Sequence, residues 1–163
     1  MARGKPLSQL SSDLRSGLAL GMELAARDIT LELKRRGPYW TGQFEAAWEV
    51  AAGQVAIEGN LKDSSNQEER DMEPLNKKGQ HPTTPVFVPP ADESLHGYTI
   101  GNLMEYANIA MDLEPGGDGR YRHQRARATA KADWFTSYIL GGESTRTLAF
   151  SVKQGMRLAG FTR

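Results

Sequence analysis

The sequence predicts an α+β domain on three observations: a long helical stripe near the N-terminus, two short extended segments in the middle, and a second helical stripe near the end. The 163 residues fit one domain, 1–163, because a chain of this size buries roughly 70% of the surface that its extended form exposes. No internal repeat interrupts that reading.

The first stripe runs through Leu7, Leu10, Leu14, Leu18, Met22, Ala25, Ile29 and Leu33, at spacings of three and four. Pro6 suits a first turn, and Lys34, Arg35 and Arg36 complement the negative end of the helix dipole. Gly37-Pro38 predicts a left-handed glycine followed by a breaker. About 30 residues rising 1.5 Å each make a rod of roughly 45 Å, against a diameter of about 40 Å for a compact chain of this length. The rod is expected to overhang its domain, and its stripe to seek a second copy. Gly17, Gly21 and Ala25, spaced by four, form a small-residue face that admits another backbone, although each glycine costs about 1 kcal/mol relative to alanine. Two coverings fit that face: the helix's own sheet, or a neighbouring subunit touching Leu14, Gly17 and Gly21.

Thr41 is placed to cap a short helix in which Phe44, Ala47 and Trp48 recur at helical spacing. From Trp48 to Glu58 the pattern turns extended, with Gly53 as a turn or bulge, and reads as a strand or hairpin. Residues 60–95 form a long insertion. It opens with the acidic run Glu68, Glu69, Asp71 and Glu73 and continues through Pro82, Pro85, Pro89 and Pro90, which force an extended backbone around Val86, Phe87 and Val88. That apolar patch suits contact with a neighbour; an idle solvated excursion is the other reading. Tyr98–Asn102 predicts a second strand, and Leu103–Met111 a short helix. Glu114–Gly119 is a turn cluster. Asp133–Leu140 is aromatic and apolar, Gly141-Gly142 breaks it, and a capped last helix is predicted from near Ser144, with Leu148, Ala149, Val152, Met156 and Ala159 on its apolar face.

Twenty basic against twenty acidic residues leave no net charge, so the bulk field that draws proteins onto nucleic acid or anionic membranes is missing. The absence of cysteine excludes disulfides, thiolate metal sites and thiol nucleophiles. No window approaches the ~20 apolar residues of a membrane span, and the charged start is not followed by a signal peptide's apolar stretch. A cytoplasmic setting is expected. The sequence has no phosphate-binding glycine loop, nucleophile elbow or His-Glu-x-x-His pattern. His81, His96 and His123 show no ligand spacing, and the acidic run has no glycine-ordered loop to hold a cation. No catalytic, cofactor or metal residue is therefore assigned. The dense basic run Arg120, Arg122, His123, Arg125, Arg127 and Lys131 has three readings. It meets Glu69 and Asp71 of an adjacent copy, it holds nucleic-acid phosphates, or it is idle surface. Segregated charge within a neutral chain suits head-to-tail contacts that close into a ring.

Pro38-Tyr39-Trp40-Thr41-Gly42-Gln43-Phe44-Glu45-Ala46-Ala47-Trp48 resembles a signature of the neck and tail-completion (head-tail joining) proteins of long-tailed bacteriophages, a Pro-x-x-Thr-Gly-x-Leu-x-x-Ser/Ala-Trp turn after a long first helix. Tyr106-Ala107 with Glu114-Pro115-Gly116-Gly117 resembles the family's Tyr-Ala-x-x-x-Glu-x-Gly segment, and Asp133-Trp134-Phe135-Thr136 its Trp-Phe approach to the last helix. The chain departs from the pattern at Phe44, which replaces leucine, in the longer spacing after Tyr106, and in the 60–95 insertion. The resemblance implies long N-terminal and C-terminal helices packed on a small antiparallel β-sheet. It also implies a structural, non-enzymatic virion protein that forms a ring at the phage neck or tail top, expected to be a hexamer. Thr41, Gly42, Phe44 and Trp48 would then shape the turn and the core between helix and sheet, with Tyr106, Trp134 and Phe135 closing the other side. The implied partners are further copies of itself, head-side connector or closure proteins, and the tail terminator or tail tube. DNA would pass through the channel without specific binding, and the protein would be found in the virion and, during assembly, in the host cytoplasm. The alternative is a small DNA-binding protein using 120–131, and behind it a metal-dependent hydrolase using the acidic loop.

Overall fold

A computed structural model of the chain describes residues 6–37, 43–53, 85–91, 97–104, 107–111 and 133–161. Helix α1 spans Leu7–Arg36. Pro6 precedes it in an extended conformation, offering no side-chain cap, and its carbonyl accepts the Leu10 N–H at 3.0 Å. At the other end the Gly37 N–H donates to Leu33 O at 2.9 Å. Gly37 is extended, at φ −65° and ψ 163°, and not left-handed as the sequence predicts. Space rather than φ favours a glycine there: a Cβ would lie 3.0 Å from both Leu33 O and Phe44 Cε1.

The buried face of α1 is also displaced from the predicted leucine stripe. It consists of Gly17, Gly21, Ala25, Ala26, Thr30, Leu33 and Lys34. The physical reason is that two different partners share the helix. The last helix lies along it from Gly17 to Arg36, and the hydrophobic core sits under Ile29 and Leu33 in its second half. Within that half the Thr30 hydroxyl donates to Ala26 O at 2.7 Å, so it is satisfied without leaving the helix.

Helix α2 (Gln43–Ala46) leads directly into strand β1 (Trp48–Ala52), which pairs antiparallel with β2 (Tyr98–Asn102). Trp48 faces Asn102 and Ala52 faces Tyr98. Both ends of this ladder are pinned. Gly53, left-handed at φ 87°, donates its N–H to Gly97 O at 2.7 Å, and the Thr99 hydroxyl donates to Gly53 O at 2.8 Å. At the opposite end the Asn102 side-chain amide donates to Phe44 O at 2.8 Å while its oxygen accepts the Met104 N–H at 3.0 Å. The strand expected from Trp48 onward thus extends as far as Ala52, and the positions after Gly53 lie outside the described residues.

Helices α3 (Ala107–Ala110), α4 (Trp134–Leu140) and α5 (Glu143–Leu158) complete the described elements. The last helix begins at Glu143, one residue before the predicted Ser144. Its cap is the backbone of Gly142 at φ 78° rather than a side chain. Ser144 sits inside the first turn, its hydroxyl donating to Ile139 O at 3.3 Å.

The fold is α+β, and among the described residues its sheet has two antiparallel strands packed against α1. Its core joins Leu33, Phe44, Ala47, Trp48, Met104, Ala107, Met111, Trp134 and Tyr138, with Ile29, Ile100 and Phe135 packed against them. Phe44 is central to it. It meets Trp48 edge-on at 5.9 Å and Trp134 edge-on at 6.3 Å, the geometry that aromatic quadrupoles favour. Trp134 Nε1 donates to Ala110 O at 2.8 Å. Phe44, Trp48, Trp134 and Phe135 thus occupy the core region expected of them, while Thr41, Gly42 and Tyr106 lie outside the described residues. Among the described residues no helix is long and apolar enough to cross a membrane.

Candidate functional site

Helices α1 and α5 form an antiparallel hairpin. Arg36 pairs with Glu143 at one end, the Ser151 hydroxyl donates to Asp28 at 2.9 Å along its length, and Gly17 faces Ala159 at the other end. The backbones approach so closely that side chains are excluded. A Cβ on Gly21 would lie 2.7 Å from Val152 Cα, and one on Gly155 would collide with the Gly21 backbone and with Gly17 O. Gly17, Gly21 and Ala25 face Ser151, Gly155 and Ala159, two small-residue stripes of the same period.

This corrects the expectation for Gly17 and Gly21. They are buried against the chain's own last helix, and the groove they form is not open to a second copy. The predicted face of α5 contained Val152, Met156 and Ala159 but passed over Ser151 and Gly155, which are its two buried residues. The signal that would have found them is the spacing of four shared with the glycines of α1.

Helix α5 ends at Leu158, closed by Gly160 at φ 85° and by the Phe161 N–H donating to Met156 O at 2.9 Å. Beyond that level no other described helix or strand runs beside α1 toward its N-terminus. Leu7, Leu10 and Leu14 there are 83%, 42% and 42% exposed. Leu7, Leu10, Leu14, Gly17 and Gly21 alternate spacings of three and four, the period of a helix-packing seam. Its glycine portion is filled by α5, while Leu7, Leu10 and Leu14 of its leucine portion are exposed, as is Leu158 at the end of α5. Leu14 is therefore at the surface, as a subunit contact requires.

The opposite end of the hairpin is polar. An open cleft of about 740 Å³ lies between α1 and the α4–α5 corner, lined by Asp28, Glu32, Arg36, Tyr138, Glu143 and Arg146 among others. Arg36 binds Glu32 (Nε–Oε2, 3.2 Å) and Glu143, and its guanidinium carbon stands 4.7 Å above the Tyr138 ring. Burial of Arg36 works to lower its pKa, but its hydrogen bonds to Glu143 and Glu32 prevail and raise it. Burial pushes the Tyr138 phenol up; the nearby Thr147 hydroxyl opposes this without reaching bonding geometry, and donates instead to Glu143 O at 3.1 Å. Carboxylates and guanidiniums here neutralise one another. The cleft holds α4 and α5 onto α1, and its described lining offers carboxylates, guanidiniums and the Tyr138 phenol.

A second ion pair lies inside the fold. Lys34 Nζ is 3.8 Å from Glu45 Oε1, with each side chain only 3% exposed, which ties the end of α1 to α2. Burial lowers the Lys34 pKa, and Glu45 opposes that shift. Lysine in a last helical turn is ordinary complement to the dipole, so its sequence position gave no sign of burial.

Residues 85–91 belong to no helix or strand, with Val86 half-buried and Phe87 80% exposed. The Tyr98 hydroxyl anchors the segment by donating to Pro89 O at 2.9 Å, and burial, followed by the charge of Glu23, raises the Tyr98 pKa. Of the expected subunit contacts, Leu14, Val86 and Phe87 are thus at least partly accessible. The charged candidates Glu69, Asp71, Arg120, Arg122, Arg125 and Arg127 lie outside the described residues. Comparison of the chain with protein-family models, with curated proteins and with solved structures finds no match in any of the three.

Proposed function

We propose that the chain is a structural subunit of a homo-oligomeric ring at the neck or tail top of a phage virion, where it joins head to tail around the DNA channel. One observation carries the reading: an apolar helical seam that outruns its own partner helix and ends in the exposed Leu7, Leu10 and Leu14. Water-exposed leucines in register with a packed interface are a contact awaiting another chain. The Pro38–Trp48 resemblance supplies the kind of assembly, and zero net charge suits a channel that DNA passes without being gripped. In this reading the subunit is not an enzyme. Its partners are further copies of itself, head-side connector or closure proteins, and the tail terminator or tail tube.

Light scattering on the purified chain is expected to give a mass several times 18.0 kDa, and negatively stained images to show a ring with a central opening. Leu10→Ser combined with Leu14→Ser should reduce that mass to the single-chain value while circular dichroism retains the helical signal. A strictly monomeric wild-type chain with salt-sensitive affinity for DNA would overturn the proposal in favour of a DNA-binding protein using 120–131.

A further inference from the structure

Helix α5 gives one face to α1, through its buried Ser151 and Gly155. On its far side stand Arg146, Phe150, Lys153 and Arg157, at spacings of four, three and four that draw a straight line down the helix. All four are exposed. Among the described residues no carboxylate pairs with any of the three cations. Glu143, the one carboxylate of α5, binds Arg36, while Asp28 and Glu32 of α1 are engaged by Ser151, Arg27, Arg35 and Arg36. Arg146 also lines the polar cleft, where its Nε donates to Gly142 O at 3.4 Å rather than to a carboxylate. A chain without net charge thus carries a local line of positive charge on a rigid helix. We infer that this line is a contact surface for the phosphate backbone of nucleic acid. The inference goes beyond the ring reading and uses none of the residues on which that reading stands.

Charge and spacing select the partner. From Arg146 to Arg157 the line rises about 16 Å, in steps of about 10 Å and about 6 Å between cations. A strand of duplex offers a phosphate for every ~3.4 Å of its axis, so flexible arginine and lysine side chains find partners wherever the line is set down. An acidic peptide must instead match that spacing with its own residues. A membrane fits less well, because an interfacial helix inserts an apolar face, and the face of α5 opposite its cations is filled by α1. Phosphate contacts carry no sequence information, so the surface holds any sequence alike. Its grip is light: each phosphate neutralised contributes about −0.9 to the slope of log affinity against log salt, or about −2.7 for the whole line.

A short fluorescent duplex of mixed sequence, followed by anisotropy across a salt series, tests the surface. The wild-type chain is expected to bind it at low salt and to release it as salt rises. Arg146→Gln, Lys153→Gln and Arg157→Gln combined should weaken binding about tenfold or more at ~50 mM salt, and flatten the slope by about 2.7 for each bound chain. Arg146→Lys with Arg157→Lys keeps the charge and should leave affinity and slope unchanged. Because the altered side chains are exposed, circular dichroism and the scattering mass of every variant should match the wild type. A wild-type chain with no salt-dependent affinity for the duplex would overturn the inference. So would a triple variant that binds as tightly as the wild type, which would move the contact to 120–131. Tighter binding of a polyglutamate peptide than of the duplex, lost in the triple variant, would give the face to an acidic protein partner instead. Mass separates this contact from the ring. A monomer that loses the duplex through the triple variant keeps the contact without the ring, and a multimer whose duplex affinity the variant leaves unchanged keeps the ring without the contact.

Discussion

At the residue scale the energetics turn on polar groups that the fold buries. Tyr138 is 1% exposed and its hydroxyl has no hydrogen-bond partner among the described residues, a burden of about 1–3 kcal/mol for such a group. Tyr138→Phe keeps the ring under Arg36 and removes that burden, so urea denaturation should show stability unchanged or raised by about 1 kcal/mol. The same phenol sets an alkaline limit. Burial holds its pKa above the ordinary 10.0, so above that pH the unfolded chain loses a proton that the native chain retains, and stability falls as pH rises. The Phe variant should fall less steeply, the remaining slope coming from Tyr98, which is shifted the same way. Lys34 acts with the opposite sign. Its folded pKa lies below 10.5, so between the two values the unfolded chain holds the extra proton and stability climbs with pH. Removing the ammonium altogether is a different experiment, because the buried Glu45 then loses the opposite charge of Lys34. Lys34→Ala should cost about 3–5 kcal/mol by chemical denaturation, and Lys34→Met with Glu45→Gln should recover most of it.

At the element scale the hairpin of α1 and α5 depends on glycines, and their neighbours rank them. Alanine in place of a mid-helix glycine gains about 1 kcal/mol in propensity. At Gly21 the new methyl meets the Val152 backbone at 2.7 Å, which cannot yield without moving α5, so Gly21→Ala should destabilise by about 1–3 kcal/mol. At Gly17 one close neighbour is the Met156 sulfur at 3.0 Å, the end of a flexible side chain, and the other is Ala159 Cβ at 2.9 Å. Gly17→Ala should therefore cost less than Gly21→Ala, as the difference between their thermal midpoints would show. Local signals fared well at this scale. The limits of α1 and β2 were legible because a breaker or a run of extended residues marks each within a few positions. The features that escaped need two distant segments at once. The sequence shows Gly17 and Gly21 as a stripe but not which surface fills it, and Ser151-x-x-x-Gly155 acquires meaning only opposite that stripe. The cap of α5 escaped for another reason: a glycine in the left-handed region supplies it, and capping patterns look for side chains.

At the scale of the whole molecule the overhang was legible as arithmetic, a rod longer than its globule, and the exposed Leu7, Leu10 and Leu14 follow that expectation. The position of the overhang was not legible, because it depends on where α5 stops along α1. The sequence offers two forces for holding copies together. One is apolar, from Leu14, Val86 and Phe87; the other is ionic, from Glu69 and Asp71 against Arg120, Arg122, Arg125 and Arg127. They respond oppositely to conditions. Salt near 1 M cuts the screening length to about 3 Å and removes attraction between exposed loops, whereas burial of leucine is untouched or strengthened, depending on the salt. Cooling weakens apolar burial, whose free energy is entropic near room temperature. If the leucine seam holds the proposed ring, sedimentation velocity should find the multimer intact at high salt and partly dissociated near freezing. Dissociation at high salt with indifference to cooling would transfer the assembly to the charged segments.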